Sequence, residues 1–215
     1  MRSSEIRDLM SLAASPDIIS FSGGMPGNEL FPLEMIDQIY QSLSEKEKQV
    51  AMQYGPTNGQ PALLESLAHY LEKKGLPVGK NRLLITTGSL QAINILAKAF
   101  VDPGDPVLVE SPSFIGALSA FRSYEANLTA IPLRSDGLDI AALKTALDSG
   151  GPKPKFLYFA PNFHNPAGII YTEAVKRQMI ELLSGLDIPL IEDDVYSDLY
   201  FHEDDLPKMR TIKAI

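Results

Sequence analysis

RLLITTGSLQAINILAKAFVDPGDPVLVESPSF, residues 82–114, sets the architecture. An apolar run, Arg82–Thr86, reads as a strand. It turns at Gly88 into an amphipathic segment, 89–100, with helical spacing. A Pro/Gly/Asp turn at 102–105 leads to a second apolar run, Pro106–Glu110. Strand, helix, strand with tight turns is the repeating unit of a parallel sheet. The unit recurs downstream. Helix 113–124 is followed by strand 127–133, helix 138–150 by strand 155–160, and helix 173–185 by strand 188–193. Five strands thus alternate with four helices. The short, continuously apolar strands predict an α/β fold whose mostly parallel sheet is covered by helices on both faces.

Upstream the pattern is looser. Residues 3–14 have a short helical pattern, and 17–32 are rich in Gly and Pro and read as a loop. Residues 33–50 read as one helix ending in a charged, solvated face. Pro61 opens a further helix that runs to about Lys74, and Gly75 stops it.

Bulk composition narrows the function. Of 215 residues, 19 are Lys or Arg and 27 are Asp or Glu, a formal charge of −8. That excess of acid disfavours nucleic acid or an anionic membrane as partner. Without cysteine there is no disulfide, thiolate nucleophile or Cys-based zinc site. The three histidines, at 69, 164 and 202, have no metal-binding spacing. No secretory h-region and no span of ~20 apolar residues is present, so a cytoplasmic protein is expected.

In such sheets ligands bind at the carboxyl ends of the strands. There the sequence places TTGSLQ (86–91), ESPSF (110–114), PNFHNPAG (161–168) and EDDVYSD (192–198). The first is a strand-to-helix turn able to take a phosphate on free helix amides, Thr87 and Ser89, or simply an N-cap. Phe114, expected one turn into its helix, can stack on a planar ring or fill core. Pro161, Pro166 and Gly168 stiffen a loop that aims the Asn165 amide. Three acids end the last strand. Such acids are costly to bury without a partner, which could be an all-oxygen metal site or a protonated heteroaromatic nitrogen. A phosphorylated pyridine with a phenolic oxygen would use the whole set.

Together with ISFSGGMPGNELFP (19–32) and YGPTNGQPALLESLAHYL (54–71), these motifs resemble the class I/II pyridoxal-phosphate (PLP) aminotransferases of fold type I. Within that family the sequence is similar to the subgroup of 2-aminoadipate and broad-specificity aminotransferases. The resemblance implies an N-terminal arm and part of the small domain over 1–50, and a PLP-binding large domain over 51–215, incomplete at the C-terminus. It implies that Gly88, Ser89, the amide of Leu90 and the side chain of Gln91 cradle the phosphate, and that Phe114 stacks on the pyridine. Asn165 and Tyr196 would hydrogen-bond the phenolic oxygen. Asp193 would pair with the ring nitrogen, chosen over Asp194 by the Asp-x-x-Tyr pattern. Tyr54 would reach the phosphate of a neighbouring subunit in a homodimer, and Gly24 would lie by the substrate carboxylate. Asp193 and Tyr196 are the implied catalytic residues.

The implied reaction moves an amino group between an amino acid and a 2-oxo acid, with 2-oxoglutarate as the expected acceptor. The family's cofactor-bonding lysine sits in a Ser-x-Ser-Lys-like motif that these residues lack. Lys208, Lys213 and Arg210 read as linker rather than as substitutes, so the chain alone is expected to be inactive. The family places some later strands between the first strand and the others, so unpaired sheet edges are expected. Other reactions of the same fold, such as decarboxylation or β-elimination, stay open because the pocket is shared, and so do two further functions. One is a PLP-sensing effector domain of a winged-helix regulator, ranked lower because no such module precedes Met1. The other is an inactive truncated product.

Overall fold

The apolar runs from residue 106 onward assemble into one five-stranded sheet in the computed structural model, which describes residues 17–19, 24, 26–76 and 78–202. The strands are β1 (Pro106–Ser111), β2 (Asn127–Arg134), β3 (Gly137–Leu138), β4 (Leu157–Phe159) and β5 (Leu190–Glu192), in the order β3-β2-β1-β4-β5. β1 pairs in parallel with β2 and β4, and β4 with β5. Only β3 runs antiparallel, hairpinned onto β2 through Leu133↔Leu138 and Arg134↔Gly137.

Strand alternation sends each strand's side chains into two separate cores. On one face Val107, Val109, Phe156 and Tyr158 pack against Ile93, Ala97, Ala117 and Phe121 of α4 (Gly88–Phe100) and α5 (Ile115–Ser123). Here the ring of Phe121 lies 5.3 Å from that of Phe156 and 5.5 Å from that of Tyr158. On the other face Leu108, Ile131, Leu157 and Phe159 pack against Leu143 of α6 (Ile140–Leu147) and Val175, Met179 and Leu183 of α7 (Glu173–Leu183). Each large side chain so buried contributes about 1.5–3 kcal/mol. Both helices of the second layer are capped by their sequence. The Asp139 side chain accepts from the Ala142 amide, and Thr172 from that of Val175.

The described residues divide into two compact units between Leu63 and Leu64. The first contains a 3₁₀ turn at Asn28–Leu30, α1 (Leu33–Ser42) and α2 (Glu45–Met52). Helix α3 (Pro61–Lys73) follows and stops at Gly75, whose φ of 80° is left-handed.

Two expectations need correction, and one strand was not expected. The single helix over 33–50 is two, because Ser44 and Glu47 form a reciprocal capping box that starts a new helix. Residues 82–86 are not a strand: Arg82 ends a 3₁₀ turn (Lys80–Arg82), a strand needs a neighbour for its ladder, and no described residue pairs with 83–86, leaving Leu84 half exposed. The sequence does not predict the short β3, since two residues carry no alternation. The helical pattern at 3–14 lies outside the described residues.

Candidate active site

Ser89, Phe114, Tyr158, Ala160, Asn165, Asp193, Val195 and Tyr196 line one pocket at the carboxyl ends of the strands. Four of these, Ser89, Phe114, Asn165 and Asp193, come from four different loops of the expected rim, and Tyr196 shares the last.

At the first loop Gly88 bends the chain into α4 with a φ of 74°, a left-handed conformation that suits glycine. Its N–H is held by the carbonyl of Thr86 at 3.0 Å. The following amides, of Ser89 and Leu90, belong to the first helical turn and have no intrahelical acceptor. Thr87 is the N-cap residue, but its side chain makes no cap bond; instead the Gln91 side-chain oxygen accepts from the Thr87 N–H. The Leu90 side chain is half exposed.

Phe114 is the N-cap of α5 in extended backbone, not a residue inside the helix as expected. Its ring folds back over Gly116: a Cβ there would come within 2.5 Å of the ring. The bare glycine gives the ring its place.

The loop after β4 is closed by its own backbone. Tyr171 N–H donates to the Pro161 carbonyl at 2.8 Å and His164 N–H to that of Ile169 at 2.9 Å. The Asn165–Pro166 peptide is cis, and Gly168 has a φ of 68°. Beneath it lies Glu110, buried at the end of β1. Its carboxylate accepts from the Ala160 N–H at 3.0 and 3.1 Å, from His164 Nε2 at 3.0 Å and from the Tyr171 hydroxyl. The His164 tautomer follows from its other nitrogen. Nδ1 accepts from the Ala167 N–H at 3.1 Å, so the proton sits on Nε2 and is donated to Glu110. Both nitrogens of one buried imidazole are committed, and the next residue is Asn165. Its Nδ2 lies 3.4 Å from the Tyr196 hydroxyl.

The three acids after β5 part company. Asp193 lines the pocket, and its Oδ2 accepts from the Tyr158 hydroxyl at 2.7 Å. Burial raises the Asp193 pKa, the charges of Asp194 and Glu110 add to the rise, and the Tyr158 bond opposes it. Burial and the Asp193 charge likewise push the Tyr158 hydroxyl up, so it stays a donor. Asp194 instead accepts from Asn162 Nδ2 at 2.8 Å. Among the described residues no group of three or more His, Cys, Asp or Glu side chains is placed to hold a metal ion.

Of the residues singled out from sequence, Ser89, Phe114, Asn165, Asp193 and Tyr196 therefore meet in one pocket. Gly88, Leu90 and Gln91 stand at the turn beside it. Gly24 and Tyr54 belong to the first unit, where Tyr54 is fully exposed. Lys208, Arg210 and Lys213 lie outside the described residues. Sequence reasoning missed Glu110, Tyr158, His164 and Tyr171. The signal for Glu110 was present: it is an acid ending an apolar strand, as Asp193 is within its run of three.

The sequence matches the family described as aminotransferase class I and II over residues 18–212. It is 37% identical over 94% of its length to aromatic-amino-acid aminotransferase 1 of Thermococcus litoralis, covering 49% of that protein. It is 36% identical over 97% of its length to 2-aminoadipate transaminase of Thermus thermophilus, covering 51% of it. Among solved structures, a kynurenine aminotransferase of Pyrococcus horikoshii superposes with a TM-score of 0.88 at 38% identity, over 98% of this chain and 53% of the other. The chain spans about half the length of the curated relatives it matches. Its doubly covered, mostly parallel sheet is that of the fold type I large domain. The chain belongs to the class I and II aminotransferase family.

Proposed function

We propose that these residues form the cofactor-holding part of a PLP-dependent aminotransferase, which moves an amino group between an amino acid and a 2-oxo acid. One observation carries the reading: Ser89, Phe114, Asn165, Asp193 and Tyr196, far apart in sequence, line a single pocket. Each suits one part of the cofactor. Ser89 and the first amides of α4, with the helix dipole behind them, suit a phosphate. The Phe114 face suits an aromatic ring, and Asn165 Nδ2 and the Tyr196 hydroxyl suit a phenolic oxygen. Asp193 is a carboxylate that burial makes costly to ionise, and a ring N–H⁺ relieves that cost.

When bound, the cofactor supplies the electron sink for the carbanion left by loss of an amino acid's α-proton. Asp193, held by Tyr158, keeps the proton on the ring nitrogen. Asn165 and Tyr196 orient the phenolic oxygen, and Phe114 excludes water from one ring face. The covalent lysine motif does not occur in these 215 residues, so by themselves they bind the cofactor without turnover. In the whole enzyme 2-oxoglutarate is the acceptor, Tyr54 serves the phosphate site of a partner subunit in a cytoplasmic homodimer, and Gly24 lies by the substrate carboxylate. The aminotransferase relatives support this reading, at about half their length.

The test is a fluorescence titration with PLP, followed by a transfer assay of the whole enzyme across amino acids. Asp193→Ala should keep the cofactor and lose most of kcat. Failure of the wild type to bind PLP would refute the reading.

A further inference from the structure

Lys176 is fully buried, on α7, against the opposite face of the sheet from the pocket. Lysine is almost never found there unless paired, and an apolar residue of similar volume would fill the space with less desolvation. Its neighbours Val175, Met179 and Leu183 do just that. What Lys176 has that they lack is a donor. Its Nζ donates to Asn162 Oδ1 at 3.1 Å, and the other end of that amide donates to Asp194 Oδ1 at 2.8 Å. Burial lowers the lysine's pKa, and the carboxylates of Glu192 and Asp194 push it back up.

The bridge has a particular span. Asn162 lies in the loop after β4, three residues before Asn165. Asp194 lies in the loop after β5, two residues before Tyr196. β4 and β5 are parallel neighbours in register to Phe159↔Glu192, and Asp193 N–H donates to the Phe159 carbonyl at 2.9 Å where the ladder ends. Beyond it side chains join the two loops, behind the sheet by Asn162–Asp194 and at the pocket by Asn165–Tyr196. Alternation sorts the acids. Glu192 and Asp194 act on Lys176, while Asp193 between them bonds Tyr158 at the front.

We propose that Lys176 is a positioning residue for the pocket: through Asn162 and Asp194 it pins the two loops together and so sets the spacing of Asn165 and Tyr196. This rests on the cofactor reading above. It assigns a role to a residue that touches neither cofactor nor substrate.

The probe is 4′-deoxypyridoxine 5′-phosphate, which keeps the ring nitrogen, phenol and phosphate but has no aldehyde. Its affinity is measured by fluorescence in the full chain, and the ionisation of its bound phenol by absorbance against pH. Inorganic phosphate, followed by phosphorus NMR, reads the α4 end alone. Lys176→Met should weaken the probe about tenfold, the worth of one misplaced hydrogen bond. It should also raise the bound phenol's pKa, because donors to the phenolate are lost, while phosphate affinity stays unchanged. Asn162→Ala, which breaks the bridge and keeps the buried lysine, should do the same and carries the test if Lys176→Met does not fold. Lys176→Arg, still a buried donor, should recover most of the loss. Unchanged probe affinity and phenol ionisation in a folded variant would overturn the proposal, as would a parallel loss of probe and phosphate. A wild type that binds phosphate but not the probe would instead refute the cofactor reading, and this inference with it.

Discussion

Replacing Glu110 by Gln tests whether the loop carrying Asn165 is held by a buried charge. Three donors converge on the carboxylate: the Ala160 N–H, His164 Nε2–H and the Tyr171 hydroxyl. Glutamine has one acceptor oxygen. Set at the Oε2 position, it keeps Ala160 and His164 but strips both bonds of their charge assistance, about 1 kcal/mol each. Its NH₂ then faces the Tyr171 hydroxyl, whose proton loses its acceptor at about 1–3 kcal/mol. The opposite flip is worse, because it sets NH₂ against His164 Nε2–H, and the Ala167 N–H bars the imidazole from changing tautomer. The sum is about 3–5 kcal/mol, a large share of the usual 5–15 kcal/mol of a folded domain. In urea the midpoint should fall by about 2 M with unchanged slope. Tyr171→Phe removes one charge-assisted bond and leaves the carboxylate its other two donors, so it should cost about 1.5–3 kcal/mol, less than Glu110→Gln. If Glu110→Gln costs less than about 1 kcal/mol, the buried carboxylate does not clamp this loop.

Other perturbations separate stability from binding. Asp193 takes up a proton more readily when folded than its ordinary pKa of 3.8 allows, so its ionised form costs stability above the raised value and nothing below 3.8. Cofactor-free Asp193→Asn should therefore melt higher than wild type at neutral pH, with the advantage gone once pH falls below that window. With PLP added the order should reverse, and a mutant still ahead would refute the pairing. Gly88→Ala forces a Cβ into a left-handed turn that is otherwise open. It should cost about 1–2 kcal/mol in a melt and weaken phosphate binding. Gly116→Ala must displace the Phe114 ring, and should weaken a phosphorylated pyridine while sparing inorganic phosphate in the same titrations.

The sheet was legible where single runs are self-sufficient. Val107–Val109 and Leu157–Phe159 are apolar on both faces, which only a doubly covered strand requires. Residues 82–86 have the same composition yet form no strand, because composition states a preference for pairing and not a partner. The pocket residues were legible as short motifs at strand ends. Their supports were not, since each depends on a bond across the sheet: Tyr158 looks like core until Asp193 is beside it, and His164 like a loop residue until Glu110 is beneath it. Lys176 could have been noticed as a cation at helical spacing from Met179 and Leu183, on the apolar stripe, where its neighbour Arg177 is not.

The clamp at Glu110 also bears on how the chain folds. Its bonds join residues 50, 54 and 61 positions apart, and the Tyr158–Asp193 bond spans 35. Closures of that length are no shorter than the β1–β4 pairing itself, Leu108↔Leu157, so they form with the sheet and not ahead of it, since loop entropy is lost before such contacts form. The pocket is thus a late product of folding. A cofactor present from the start of refolding would find no template to bind until the sheet is made, and would act on the yield of finished protein rather than on the speed of reaching it.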